Sequence, residues 1–184
     1  MRRVLLTSAL LLLTGLAACG DGPTQEPSVG RPQLDPSGVP FNLAGGGSID
    51  MPSTWTTTAG PAGGPELVRS TSGQGAIVVW KYPRTEPLPT TRKDLRNTRR
   101  SLRNAITTRD PTFKVTLALL KETPQPSVEI AGIGTMAGAK RSLRSMHVYA
   151  NGAETVVDCI GPVGDAKAFT ATICDPVIAS LNLG

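Results

Sequence analysis

Asn151-Gly152 constrains this chain more than any other pair of residues. Both residues tolerate the positive φ that a two-residue hairpin turn demands. They join two runs of strand-forming residues, Arg141–Ala150 and Ala153–Ile160. An antiparallel hairpin therefore lies in the C-terminal third of the chain. Leu143, Met146, Val148 and Ala150 depart from strict alternation, which predicts a bulge near Ser145.

Other strands read from the same kind of pattern. Ser48-Ile49-Asp50-Met51-Pro52-Ser53-Thr54-Trp55 reads as a short edge strand ended by a proline turn, with Trp55 packing inward. Glu66–Thr71 reads as half-exposed, Ser72–Gly75 as a turn, and the β-branched and aromatic run Ala76–Tyr82 as a central strand. Lys114–Leu120 and Val128–Ile133 complete the set, separated by a loop with Pro124 and Pro126.

A helix spans about Thr91 to Thr108, with Thr90 or Thr91 as N-cap and Asp94 in its first turn. Leu95, Thr98, Leu102, Ala105 and Ile106 form its apolar stripe, and Asp110-Pro111 ends it. Asp165 caps a short helix through Ala166, Phe169, Ile173 and Cys174. Asp175-Pro176 suits an N-cap and N1 pair that restarts it toward Val177, Ile178 and Leu181. Aromatics are only 4% of residues, so the core must come from Val, Ile, Leu and Ala. The order of elements predicts an α+β domain, an antiparallel β-sheet covered by helices.

The N-terminus adds a location. Met1-Arg2-Arg3 is a positive n-region and Val4–Leu13 a short apolar run. Small residues then lead into Leu16-Ala17-Ala18-Cys19. That quartet resembles the lipobox of bacterial lipoproteins, in which the cysteine is diacylated and becomes the new N-terminus. An uncleaved spanning helix is one alternative, against which stand Thr7, Ser8, Thr14 and Gly15; a span wants roughly 20 apolar residues. An ordinary secretory signal is another, against which stands the position of Cys19. The predicted organisation is a signal peptide at 1–18, a lipidated Cys19 with a Pro/Gly-rich tether over 19–47, and one domain over 48–184. The tether carries Pro23, Pro27, Pro32, Pro36 and Pro40 and ends in Ala44-Gly45-Gly46-Gly47. As a coil it would span roughly 25–30 Å. The domain would thus sit at the extracytoplasmic face of the cell membrane, held by its lipid anchor.

The chain's remaining cysteines are Cys159 and Cys174. In an oxidising compartment they form an even pair, and a bridge would staple the last strand to the C-terminal helix. Two buried free thiols are the alternative. With the lone His147 they fall short of a zinc site, and no cofactor is expected. Removing residues 1–18 from the 184 leaves 166, and loss of Arg2 and Arg3 takes the net charge from +5 to +3. That is too small an excess to argue for nucleic acid.

The opening Ile49-Asp50-Met51-Pro52…Trp55 and the closing Phe169…Ile178-Ala179-Ser180-Leu181, with a hairpin between, are similar to PsbP/Mog-type domains. The likeness covers most of residues 48 to 183. It implies an αβα sandwich and a family containing many lipidated actinobacterial proteins. It also implies a non-enzymatic role, since PsbP-like proteins are extrinsic subunits of membrane complexes and Mog-type relatives bind a protein partner. It carries over no functional residue.

Catalytic patterns are weak. His147 and Asp158 can be drawn with a serine as a triad, but no G-x-S-x-G elbow exists. Gly132-Ile133-Gly134 lacks the third glycine of a dinucleotide site, and Gly45-Gly46-Gly47 has no following Lys-Ser/Thr. The chain is not expected to be an enzyme. The feature that does point to a partner is Arg92, Arg96, Arg99, Arg100 and Arg103, on one side of the helix among seven basic residues and a single acid. Like charges at i,i+4 cost a few tenths of a kcal/mol each. That spacing suits an anionic lipid surface, a cell-wall polyanion or an acidic envelope protein, although a solvated helix back has the same pattern. Two functional classes follow: an envelope interaction module working through that face, or a carrier for a small amphiphile held between sheet and helices.

Overall fold

A computed structural model describes residues 38–121 and 125–184. The leader, Cys19, the tether up to residue 37 and Pro124 lie outside the described residues.

Chain order is β1 (Val39–Asn42), β2 (Ser48–Met51), β3 (Thr56–Ala59), β4 (Glu66–Thr71), β5 (Ala76–Pro83), α1 (Arg92–Arg109), β6 (Lys114–Lys121), β7 (Ser127–Met136), β8 (Ala139–Ala150) and β9 (Ala153–Gly161). A continuous helical run follows: α2 (Ala166–Phe169), a π-turn over Thr170–Cys174, and α3 (Asp175–Ser180). Strands β3 to β9 form one antiparallel sheet in the order β3-β4-β5-β9-β8-β7-β6, while β1 and β2 pair separately. Helix α1 carries the chain from β5, inside the sheet, to β6 at its far edge.

The Asn151-Gly152 hairpin forms as read, with φ of 51° and 70° at its two turn residues. The bulge expected near Ser145 does not form. Strand β8 stays in register with β7 from Met136↔Ala139 to Ser127↔Val148, and with β9 from Ser142↔Gly161 to Ala150↔Ala153. Both faces of β8 are covered, so Ser145 to Tyr149 are buried consecutively and alternation has no cause. The irregularities sit instead at Glu66/Val68 and Val115/Leu117.

Two further expectations need correction. The segment read as tether ends before residue 47, because Val39–Asn42 pairs with β2 and Leu43 is buried. Gly45, Gly46 and Gly47, at φ of 82°, 98° and 95°, make the turn of that hairpin rather than the end of a coil. Pro40 is tolerated because β1 has only one neighbour. Likewise Asp175 is not a cap. Its backbone is helical, and its N–H reaches the Thr170 carbonyl five residues back, so the run widens and continues.

Two apolar clusters lie on opposite faces. Leu95, with Leu102 and Ile106, packs α1 against Val128, Ile130 and Tyr149. On the other face Phe169, Ile173 and Val177 pack with Ile77, Val79, Met146 and Val157, under Ile49 and Met51 of β2. The residues behind the family likeness meet here: the Asp50 N–H donates to Ser180 Oγ at 2.8 Å, and Trp55 lies 6.1 Å from Phe169. Gly132 and Gly134 are explained by packing as well. A Cβ at either would come within 2.6 Å of the Phe113 ring.

Candidate binding groove

Alternation along β7 sends Val128 and Ile130 toward α1 and turns Glu129 and Ala131 to the opposite face. There β6, β7 and β8 form the floor of a groove walled by α2 and the π-turn, with a volume of about 680 Å³. Leu117, Leu119, Ala131, Ile133, Phe169 and Ala171 give it a largely apolar lining. Leu117 and Leu119 are 39% and 43% exposed, unusual for leucines in the middle of a strand.

A row of charges crosses this apolar floor. Glu129 is 1% exposed, and its Oε1 accepts from Arg144 Nε at 2.8 Å. The other edge of Arg144 holds Asp175 of α3 through Nη1. Burial works against the Arg144 charge, but its bonds to Glu129 and Asp175 outweigh that and hold its pKa above the ordinary value. Glu129 Oε2 accepts no hydrogen bond; Lys121 Nζ stands 3.7 Å away. Sequence reading did not single out Glu129, Arg144 or Lys121. Its available signal was a lone carboxylate between Val128 and Ile130 in an otherwise apolar strand.

The other face of the sheet carries a second polar cluster, and it differs from the triad drawn from sequence. His147 Nδ1 lies 2.7 Å from Glu154 Oε1, so the acid beside the imidazole is Glu154 and not Asp158. Asp158 instead accepts from Ser145 Oγ at 2.6 Å and from Trp80 Nε1 at 2.9 Å. Ser145 Oγ also lies 3.0 Å from His147 Nε2. Its proton nevertheless points to Asp158, and the side chain is 3% exposed. A nucleophile needs its proton on the base and a substrate within reach. This cluster offers neither and serves to satisfy buried polar atoms. Glu154 also accepts from Tyr149 Oη at 3.2 Å and from Arg84. Burial, then the negative charge of Glu154, push the Tyr149 pKa upward.

The predicted basic side of α1 divides. Arg92, Arg96, Arg100 and Arg103 are exposed, whereas half-buried Arg99 reaches the Ala118 carbonyl on the edge strand β6 at 3.4 Å. Thr91 closes the helix start with a capping box, accepting from the Asp94 N–H at 3.1 Å. Cys159 and Cys174 are joined in a disulfide, their Cα atoms 5.9 Å apart, and both border the groove. No helix among the described residues is long and apolar enough to cross a membrane.

No protein family and no curated protein matches the sequence. Solved structures do match in shape. The solution structure of cyanobacterial PsbP (CyanoP) from Synechocystis sp. PCC 6803 superposes with a TM-score of 0.61 at 12% identity, over 81% of this chain and 94% of that one. LpqN, described as involved in cell envelope biogenesis of Mycobacterium tuberculosis, gives 0.51 at 14% identity, over 79% and 84%. The fold is PsbP-like. At these identities the likeness fixes architecture alone.

Proposed function

We propose that this chain is a lipid-anchored, extracytoplasmic and non-enzymatic accessory protein of the cell envelope, and that it works by holding an amphiphile in the groove beside α2. The groove itself carries the reading. Ligand sites are concave and mostly apolar with a few placed polar groups, within about 300–1,000 Å³. The 680 Å³ groove, its exposed leucines and its buried charge row have that character. The lipobox-like Leu16–Cys19 supports the location, and LpqN's described role in envelope biogenesis is compatible with it.

A binding titration tests this directly. N-phenyl-1-naphthylamine, neutral and fluorescent in apolar surroundings, should bind the domain from residue 38 onward. Ala131→Trp, which fills the floor, and Leu119→Glu, which charges the rim, should each weaken binding at least tenfold while the fold stays intact. Unchanged binding in both variants would remove the groove from the reading.

A second reading rests on the exposed arginines of α1, which face away from the groove. They would let the same domain lie against anionic headgroups, a cell-wall polyanion or an acidic envelope protein. Contact must be close, because the Debye length is about 8 Å at physiological salt. Vesicles containing anionic lipid should retain the domain at low salt. Replacing Arg96, Arg99, Arg100 and Arg103 by Gln should release it, and retention of that variant would dismiss the basic face.

A further inference from the structure

We infer that the ligand of the groove carries a hydroxyl-bearing, uncharged head group on a single alkyl chain, and that Glu129 Oε2 accepts the hydrogen bond from that head. The inference rests on the groove being a binding site and adds the chemistry of what it binds.

Glu129 is placed where an apolar residue would fit. Its register neighbours are Leu119 on β6 and Met146 on β8, and Val128 and Ile130 flank it in sequence. A buried ion pair at such a position is weak evidence for stability, because hydrophobic residues of similar volume often serve as well or better. Yet the carboxylate is there at the border of the groove, its Oε1 engaged by Arg144 and its Oε2 buried with no hydrogen-bond partner. Lys121 is 3.7 Å away, beyond hydrogen-bond reach. A buried carboxylate oxygen without a donor costs more than a neutral group in the same state. What completes it must bring a hydrogen.

Charge narrows the head group. Arg144 already balances Glu129, and the same guanidinium holds Asp175. A carboxylate or phosphate head would set oxygen against oxygen at Oε2. A quaternary ammonium has no hydrogen to give, and a primary ammonium would be set against Lys121, 3.7 Å from the same oxygen, and against Arg144. A hydroxyl donates to Oε2 and can accept from Lys121 at the rim. Beyond the head, Ala131 and Ile133 continue the β7 floor, with Leu117 and Leu119 beside them and Phe169 opposite. From Glu129 to Ile133 the strand runs about 13 Å, the span of a medium-length alkyl chain.

The experiment compares 1-O-decylglycerol with its di-O-methyl ether, which keeps the chain and the acceptors but has no hydroxyl. Both are titrated below their aggregation concentration against wild-type protein, Glu129→Gln and Ala131→Trp. In wild type the diol should bind about tenfold or more tightly than the ether, the ratio one hydrogen bond to a charged acceptor gives. Glu129→Gln presents an amide N–H in place of the acceptor, so the ratio should fall toward unity while the diol still binds. Ala131→Trp should abolish both. Equal affinities in wild type, with both lost in Ala131→Trp, would overturn the assignment of Glu129 and leave the groove standing. A ratio that survives Glu129→Gln would overturn it too. Failure of both ligands to bind wild type would overturn the groove itself. The wild-type ratio needs no variant, and Glu129→Met with Arg144→Met, which removes the buried carboxylate and strands only the exposed Asp175, should also bring the ratio toward unity.

Discussion

Glu154 gathers His147, Tyr149 and Arg84 around its two carboxylate oxygens. Burial pushes its pKa up, but the hydrogen bonds and charges of His147 and Arg84 outweigh that and hold it below the ordinary 4.5. A carboxylate whose folded pKa lies below its unfolded one stabilises the fold fully above the unfolded value. That stabilisation is lost as pH falls through the folded value. The Tm gap between wild type and Glu154→Gln should therefore be widest near neutrality and close below pH about 4.5. A gap that is constant from pH 7 to 3 would contradict it. The Glu129–Arg144 pair makes a different prediction. Arg144→Met alone leaves a buried carboxylate without its partner and should cost about 3–5 kcal/mol in urea unfolding, whereas Glu129→Met with Arg144→Met should cost far less. Neither cluster was legible in sequence, since each is assembled from residues on different strands. Gly132 and Gly134 show the same blindness. Their reason is Phe113, which only the fold brings over them.

Elements whose signal is local were the legible ones. The type of α1, its start at Thr90 or Thr91 and the apolar stripe through Leu95 follow from spacing and capping chemistry, the structure choosing Thr91 as the cap, and the final hairpin follows from Asn151-Gly152. Strand β1 was hidden because Pro40 and three glycines have the composition of a coil, and only pairing with β2 gives them a structure. The π-turn was hidden because Asp-Pro is a usual helix start. The C-terminal run depends on its staple. Losing the Cys159–Cys174 bridge, which closes a separation of 15 residues, should cost about 3 kcal/mol. In Cys174→Ser, hydrogen exchange should quicken first over residues 166–180, and a uniform increase over the whole sheet would contradict a local role. On α1, the four-arginine to glutamine variant relieves like-charge pairs. With Arg99 kept for its bond to Ala118, the variant with only Arg96, Arg100 and Arg103 changed to Gln should unfold no more easily than wild type even as it loses anionic vesicles, which separates binding from stability.

At the scale of the molecule, the α+β class and its antiparallel sheet were readable because alternation and turns are short-range. The groove was not, because it exists only where β6 is carried by α1 to lie beyond β7 while the C-terminal helix covers the middle of the sheet. Location belongs to this scale too. Cys19→Ala should leave an unprocessed precursor and abolish metabolic labelling with fatty acid; two acyl chains give stable attachment where one is marginal. Labelling that persists in Cys19→Ala would remove the anchor. The groove is tested most directly by photolabelling. An alkylglycerol with a diazirine midway along its chain, irradiated with the protein and digested, should attach to the β6 and β7 peptides containing Leu117, Leu119 and Ile133, and to the α2 peptide containing Phe169. Labelling confined to α1 and the opposite face, around Leu102 and Ile106, would contradict the groove as the binding site.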